Sequence, residues 1–137
     1  LREAVSEAVK RKGALKSIDG ANIPVRHEHA ALNTLLQSAG AIVCKMWVVR
    51  FHELMAQHGY VHGRDYFQAA FVHDELQIRC KRSVFTYEMQ EINGKKHFKC
   101  LVGELCVQAI RDTGAKLGCR IPLSGEYVIG QSYAETH

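Results

Sequence analysis

A chain of 137 residues is the size of one domain and long enough to bury a core. Its 18 basic residues against 14 acidic leave a charge of +4, which permits nucleic-acid binding without arguing for it. The five cysteines (Cys44, Cys80, Cys100, Cys106, Cys119) are odd in number and lack CxxC spacing, so they speak against a disulfide framework or a structural zinc site and for free thiols in a reducing cytoplasm. No run is read as approaching the ~20 apolar residues of a membrane span, and no secretory signal is visible. The chain opens at Leu1 inside an amphipathic pattern, which is expected of a piece of something longer.

Leu1, Ala4, Val5, Ala8 and Val9 recur at helical spacing and Gly13 follows, so residues 1–12 are predicted helical. Residues 15–26 read as a β-hairpin about an Asp19-Gly20 turn, with Asp19 a turn residue rather than a metal ligand. From about Glu28 to His58 the pattern is one long helix, with a broad apolar face from Leu32 to Trp47. His29, Asn33 and Gln37 fall at i, i+4, i+8 and make a polar row about 12 Å long, continued by Gly40 and Ala41. A plainly solvated stripe would more often carry Lys and Glu than amides and imidazole.

Residues 67–80 hold the central stretch. Two runs rich in β-branched and aromatic residues, 67–72 and 76–80, flank His73-Asp74-Glu75. As one continuous strand the run would put Asp74 on the apolar face, where an unpaired carboxylate is costly. A hairpin with His73 and Asp74 at its tip is therefore predicted. Such turns normally want Gly or Asn, and His and Asp are among the few other residues that tolerate positive φ. A strained turn that lifts a carboxylate is a candidate functional site.

Asn93-Gly94 predicts a second hairpin between 84–92 and 95–98. Phe98, Leu101, Val102, Leu105, Ala109 and Ile110 predict an amphipathic helix ending near Gly118. The tail reads as two short strands about Gly125 with an extended end. The predicted class is α+β, a small antiparallel sheet backed by the long helix and the second amphipathic helix.

Val72-His73-Asp74-Glu75 resembles the third polymerase motif of the family A DNA polymerases, the group of bacterial DNA polymerase I and the replicative polymerases of short-tailed phages. The run from His29 to Gly40 is similar to the phage enzymes, and the run from Gly130 to His137 is similar to that family's C-terminus, which also closes on His. The three motifs stand in the family's order and spacing, and the resemblance covers nearly the whole chain.

The resemblance implies that residues 1–137 are the C-terminal part of a polymerase palm domain. It implies template-directed DNA synthesis by two-metal nucleotidyl transfer from a dNTP to a primer 3′-hydroxyl. Asp74 would bind the catalytic Mg2+, with two ions in the complete enzyme, and Glu75 would support the site beside the primer terminus. His73 and Gln77 correspond to positions near the primer strand, and Asn33 and Gln37 to contacts with the primer-template minor groove. His29 stands where the phage enzymes carry His, Arg26 resembles a backbone contact, and His137 matches the terminal residue. Minor-groove acceptors are nearly independent of sequence, so a row of amide and imidazole donors suits a reader of duplex shape.

The upstream motif with the second metal-binding Asp, and the nucleotide-binding fingers helix, have no match here. Asp65 and Asp112 read as loop and helix surface. The isolated chain is therefore expected to be inactive, to depend on the rest of a polymerase chain, and to act in the cytoplasm of a bacterial or phage-infected cell, with no membrane partner. An open sheet edge would favour a homodimer. The alternatives are a metal-dependent HD-type phosphohydrolase, which needs the His-Asp pair on a helix, and a non-catalytic nucleic-acid-binding module.

Overall fold

The computed structural model describes residues 2–92 and 95–136. It divides into two units, Leu1–Met46 and Trp47–His137, and the division falls inside the longest helix.

In the first unit, α1 (Arg2–Lys12) turns Val5, Ala8 and Val9 to one side, and Gly13 ends it. Strands β1 (Ala14–Lys16) and β2 (Asn22–Pro24) pair antiparallel with Leu15 opposite Ile23. Asp19 builds their turn as expected: its carboxylate accepts from the Ser17 hydroxyl and, at 3.1 Å, from the Ala21 N–H. Val5, Leu15 and Ala31 form a small buried core.

The long helix does not begin where its periodicity predicts. A 3-10 turn, Glu28–Ala30, precedes α2 (Ala31–Gln57). His27 enters with extended backbone and offers no side-chain cap, and Ala30 N–H bonds back to His27 C=O at 3.1 Å. Tightening to i→i+3 bonds satisfies terminal groups that a capping side chain would otherwise take. By length and composition alone, Glu28–Gln57 reaches the measure of a membrane-crossing helix, which corrects the expectation that no segment does. Asn33, Gln37 and Lys45 break up its apolar runs, so the property emerges only on averaging over a window. Core helices of soluble proteins reach the same measure but are mostly buried, which this apolar window is not.

The second unit contains β3 (Tyr66–Val72) and β4 (Glu75–Cys80), then β5 (Tyr87–Ile92) and β6 (Lys95–Cys100). The helices α3 (Leu101–Lys116) and α4 (Tyr133–Thr136) complete it. The α+β class stands, but among the described residues the strands form three separate antiparallel pairs rather than one sheet. Each strand finds its partner across a short connection, the closure that costs least chain entropy. The predicted Asn93-Gly94 turn lies outside the described residues.

The α3 helix starts at Leu101, not at Phe98, which belongs to β6. Cys100 is the cap: its backbone is extended and its Sγ accepts from the Gly103 N–H at 3.3 Å. The core joins Phe51, Leu54 and Met55 of α2, Tyr66 of β3, Cys100, and Val102, Leu105 and Ala109 of α3. Trp47 Nε1–H donates to the Cys106 carbonyl at 2.9 Å, and Arg50 Nε meets Asp112 at 2.7 Å.

The tail forms no strand among its described residues, against expectation. It packs on α3 instead. A Cβ on Gly103 would come within 2.5 Å of the Tyr127 ring, and one on Gly114 within 2.9 Å of Leu123. The Tyr127 hydroxyl donates to Glu104 at 2.8 Å and accepts from the Cys100 N–H at 3.2 Å. Side-chain packing into a glycine notch takes the place of strand pairing.

Candidate active site

The β3–β4 hairpin places His73 and Asp74 together at its tip, both exposed. Val72 is opposite Glu75, which leaves a two-residue turn. His73 is the one described non-glycine residue with positive φ, at 54°. Type I′ turns need positive φ at both central residues, so this turn is not of that type. Asp74 sits on the second position. Among the described residues it makes no side-chain hydrogen bond or ion pair, which leaves its carboxylate available from the solvent side.

Cross-strand pairing sorts the arm into two faces. Tyr66 with Cys80, Gln68 with Ile78 and Phe71 with Leu76 face the core, where Phe71 meets Trp47 edge-on at 6.2 Å between ring centroids. Phe67 with Arg79, Ala70 with Gln77 and Val72 with Glu75 face outward. Gln77 donates its amide N–H to the Glu75 carboxylate on that outer face. His73, Asp74, Glu75 and Gln77 are therefore gathered at one end of one hairpin.

The register shifts by one residue between Gln68 and Ala70, a β-bulge the sequence reading did not foresee. Beside it lies a polar cluster that reading also missed. His52 Nδ1 is 2.6 Å from the Tyr66 hydroxyl and its Nε2 is 3.0 Å from Gln68 Oε1. The Gln68 backbone N–H donates to His62 Nε2 at 3.2 Å. Tyr66 is 1% exposed, and burial raises its phenol above the ordinary value. Its O–H needs an acceptor there. No motif signals these contacts, because they join residues of a helix, a loop and a strand.

In the first unit, Arg26, His29, Asn33 and Gln37 are all exposed. The predicted row of three on one helix is corrected: Asn33 and Gln37 share a face of α2, while His29 belongs to the 3-10 turn and stacks on His27, with centroids 5.6 Å apart. On the helix itself the amide pair covers ~6 Å. Beyond it, Gly40 is exposed, and nothing lies within 4 Å of where its Cβ would stand. His137 lies outside the described residues.

The other carboxylates considered are engaged elsewhere. Asp65 is held below the usual carboxylate range by Arg64, then by the Val61 N–H. Asp112 is lowered by Arg50, then by Gln108. No group of three or more potential metal ligands occurs among the described residues. None of the five cysteines is in a disulfide, and burial pushes the Cys80 thiol up to about 11 and that of Cys106 up to about 12. Buried thiols held protonated are poor nucleophiles.

No protein-family model matches the chain. The chain is 37% identical over 125 residues to the DNA-directed DNA polymerase of Escherichia phage T7 and 36% identical over 125 residues to that of Enterobacteria phage T3. Each match covers 90% of this chain and 16% of the phage protein. This chain matches a fragment of a phage-type DNA polymerase.

The DNA-directed DNA polymerase of Escherichia phage Phieco32 is 32% identical over 136 residues, covering 92% of this chain and 19% of that protein. This chain thus spans less than a fifth of the length of these relatives. The β3–β4 tip lies within one of the runs that carry the resemblance, Val72 to Glu75. The hairpin also answers the rival phosphohydrolase reading, which needs His73 and Asp74 on a helix.

Proposed function

We propose that this chain is the C-terminal palm portion of a DNA polymerase that extends a primer 3′-hydroxyl with dNTPs on a DNA template. The observation that carries the reading is the Asp74 carboxylate raised on a Gly-free two-residue turn, in a chain similar to phage DNA-directed DNA polymerases. The residues fit a share of a magnesium site. Mg2+ keeps several waters and binds through one or two carboxylates plus substrate phosphates, so exposed Asp74, with Glu75 beside it, suffices as this chain's contribution. The bound metal supplies Lewis-acid activation and charge neutralisation in such transfers.

The chain's own residues do the rest. Glu75, held by Gln77, sets the outer face of the arm. His73 offers an imidazole at the primer side of the tip. Asn33 and Gln37 present amide donors to minor-groove acceptors common to all base pairs, which favours well-shaped duplex over a particular sequence. Arg26 adds a phosphate contact, and His29 a donor one turn before the helix. A second carboxylate, the fingers and the nucleotide pocket belong to the rest of a polymerase chain, so the isolated fragment is expected to be inactive. The homodimer expected from an open sheet edge is not part of this reading, and a cytoplasmic setting follows only from the proposed activity.

The test is primer extension by the whole polymerase carrying Asp74→Asn. A loss of about 10³-fold or more in kcat with primer-template affinity kept supports the reading. Extension at the parental rate overturns it. Gln37→Ala in the same protein separates a polymerase from a mere DNA-binding module: the former loses extension and mismatch sensitivity, the latter only affinity.

A further inference from the structure

The β-bulge and the histidine cluster are not accounted for by the roles above, and they occur at the same place. Gln68 is the last regularly paired residue before the shift, and it is held twice: its side chain by His52 and its backbone N–H by His62. The hydrogen-bond directions are mutually consistent in the arrangement that sets no acceptor against an acceptor. There the Tyr66 O–H donates to His52 Nδ1, and His52 Nε2–H donates to Gln68 Oε1. One imidazole on α2 thus fixes two successive core-facing residues of β3.

We propose that His52 is a positioning residue for the hairpin tip, clamping β3 at its bulge so that the arm carrying Asp74 leaves α2 at one fixed angle. A bulge bends a strand and increases its twist, so whatever holds the bulge aims everything beyond it. Asp74 is six residues past Gln68. At ~3.3 Å per residue this is a lever of about 20 Å, on which a tilt of about 10° at the bulge moves the tip by more than 3 Å. Misplacement of a reacting group by ~1 Å can cost about 10²-fold in rate. The inference rests on the polymerase reading only for its kinetic consequence; the mechanical claim stands on the contacts.

The experiment uses the whole polymerase that carries this sequence. His52→Leu removes both bonds, and its kcat for single-nucleotide extension is expected to fall about 10–100-fold while KM for the nucleotide changes little. His52→Gln keeps an acceptor and a donor and is expected to restore most of that loss. Amide hydrogen exchange in His52→Leu should quicken at residues 69–74 and stay unchanged in α3. Deleting Ala69 keeps every cross-strand pair and both faces but straightens the arm, so it answers the same question if His52→Leu fails to fold. It is expected to lower kcat similarly at little cost in melting temperature. An unchanged kcat in a folded variant, or exchange that rises equally in α3 and the hairpin, overturns the proposal. Hydrogen exchange needs no turnover, so a parent protein that fails to extend primers sinks the polymerase reading and leaves the clamp to be judged on exchange alone.

Discussion

Arg50 Nε lies 2.7 Å from an Asp112 carboxylate oxygen, joining the C-terminal half of α2 to α3 beside the second core. The side chains are 32% and 28% exposed, so solvent screens the pair only in part. Arg50 holds the Asp112 carboxyl below its ordinary value. A carboxylate depressed in the folded state contributes stability above its unfolded pKa of ~3.9 and loses it as pH falls through the folded value. Asp112→Asn should therefore lower stability at pH 7, and the difference should narrow below about pH 4. Urea unfolding as a function of pH checks both.

The tip itself makes a sharper prediction. With φ at 54°, His73 occupies a region that β-branched residues avoid and glycine enters freely. His73→Val should be less stable than His73→Gly by ~1–2 kcal/mol. In the polymerase, His73→Gly should remain folded yet extend primers more slowly, since the imidazole is lost. Equal stabilities of the two variants would mean that the backbone there is relaxed.

Gly103→Ala is expected to destabilise the second unit by ~1–3 kcal/mol, because the added methyl would lie inside contact distance of the Tyr127 ring. Pairing it with Tyr127→Ala should recover part of the loss, since the ring is what the methyl meets. Thermal melts of the single and double variants decide it.

Thiol labelling separates the cysteines. Cys119 is exposed and should react with a maleimide within minutes at pH 8. Cys80 and Cys106, held up to about 11 and about 12, should resist until the protein is unfolded. Rapid labelling of Cys106 in the native protein would contradict the packing of α3 against Trp47.

The sequence was most legible where a local rule and chemistry coincided. Two β-rich runs broken by His73-Asp74 could not fold as one strand without burying a carboxylate, so the turn could be read directly. The short strands about Asp19-Gly20 and the amphipathic α3 were likewise visible in residue type and spacing. The bulge was hidden because Ala69 and Ala70 give no sign of an extra residue in the ladder. The His52 cluster was hidden because its members come from three separate elements. The 3-10 start of the long helix followed from the absence of a capping side chain at His27, which periodicity does not register. The tail was misread because its glycine partners lie in α3, where a helical pattern gives no hint that they are notches.

Those two notches give the end of the chain a particular kind of freedom. A strand would have tied it down at every second residue by directional bonds, whereas here Tyr127 and Leu123 are seated in the notches, with directional bonds only at the Tyr127 hydroxyl. The intervening and flanking positions, such as Ile121 and Val128 at 78% and 68% exposure, are then unconstrained by the docking. Substitutions there should be absorbed silently, while a single inserted residue between the anchors would throw both out of step with their seats on the helix.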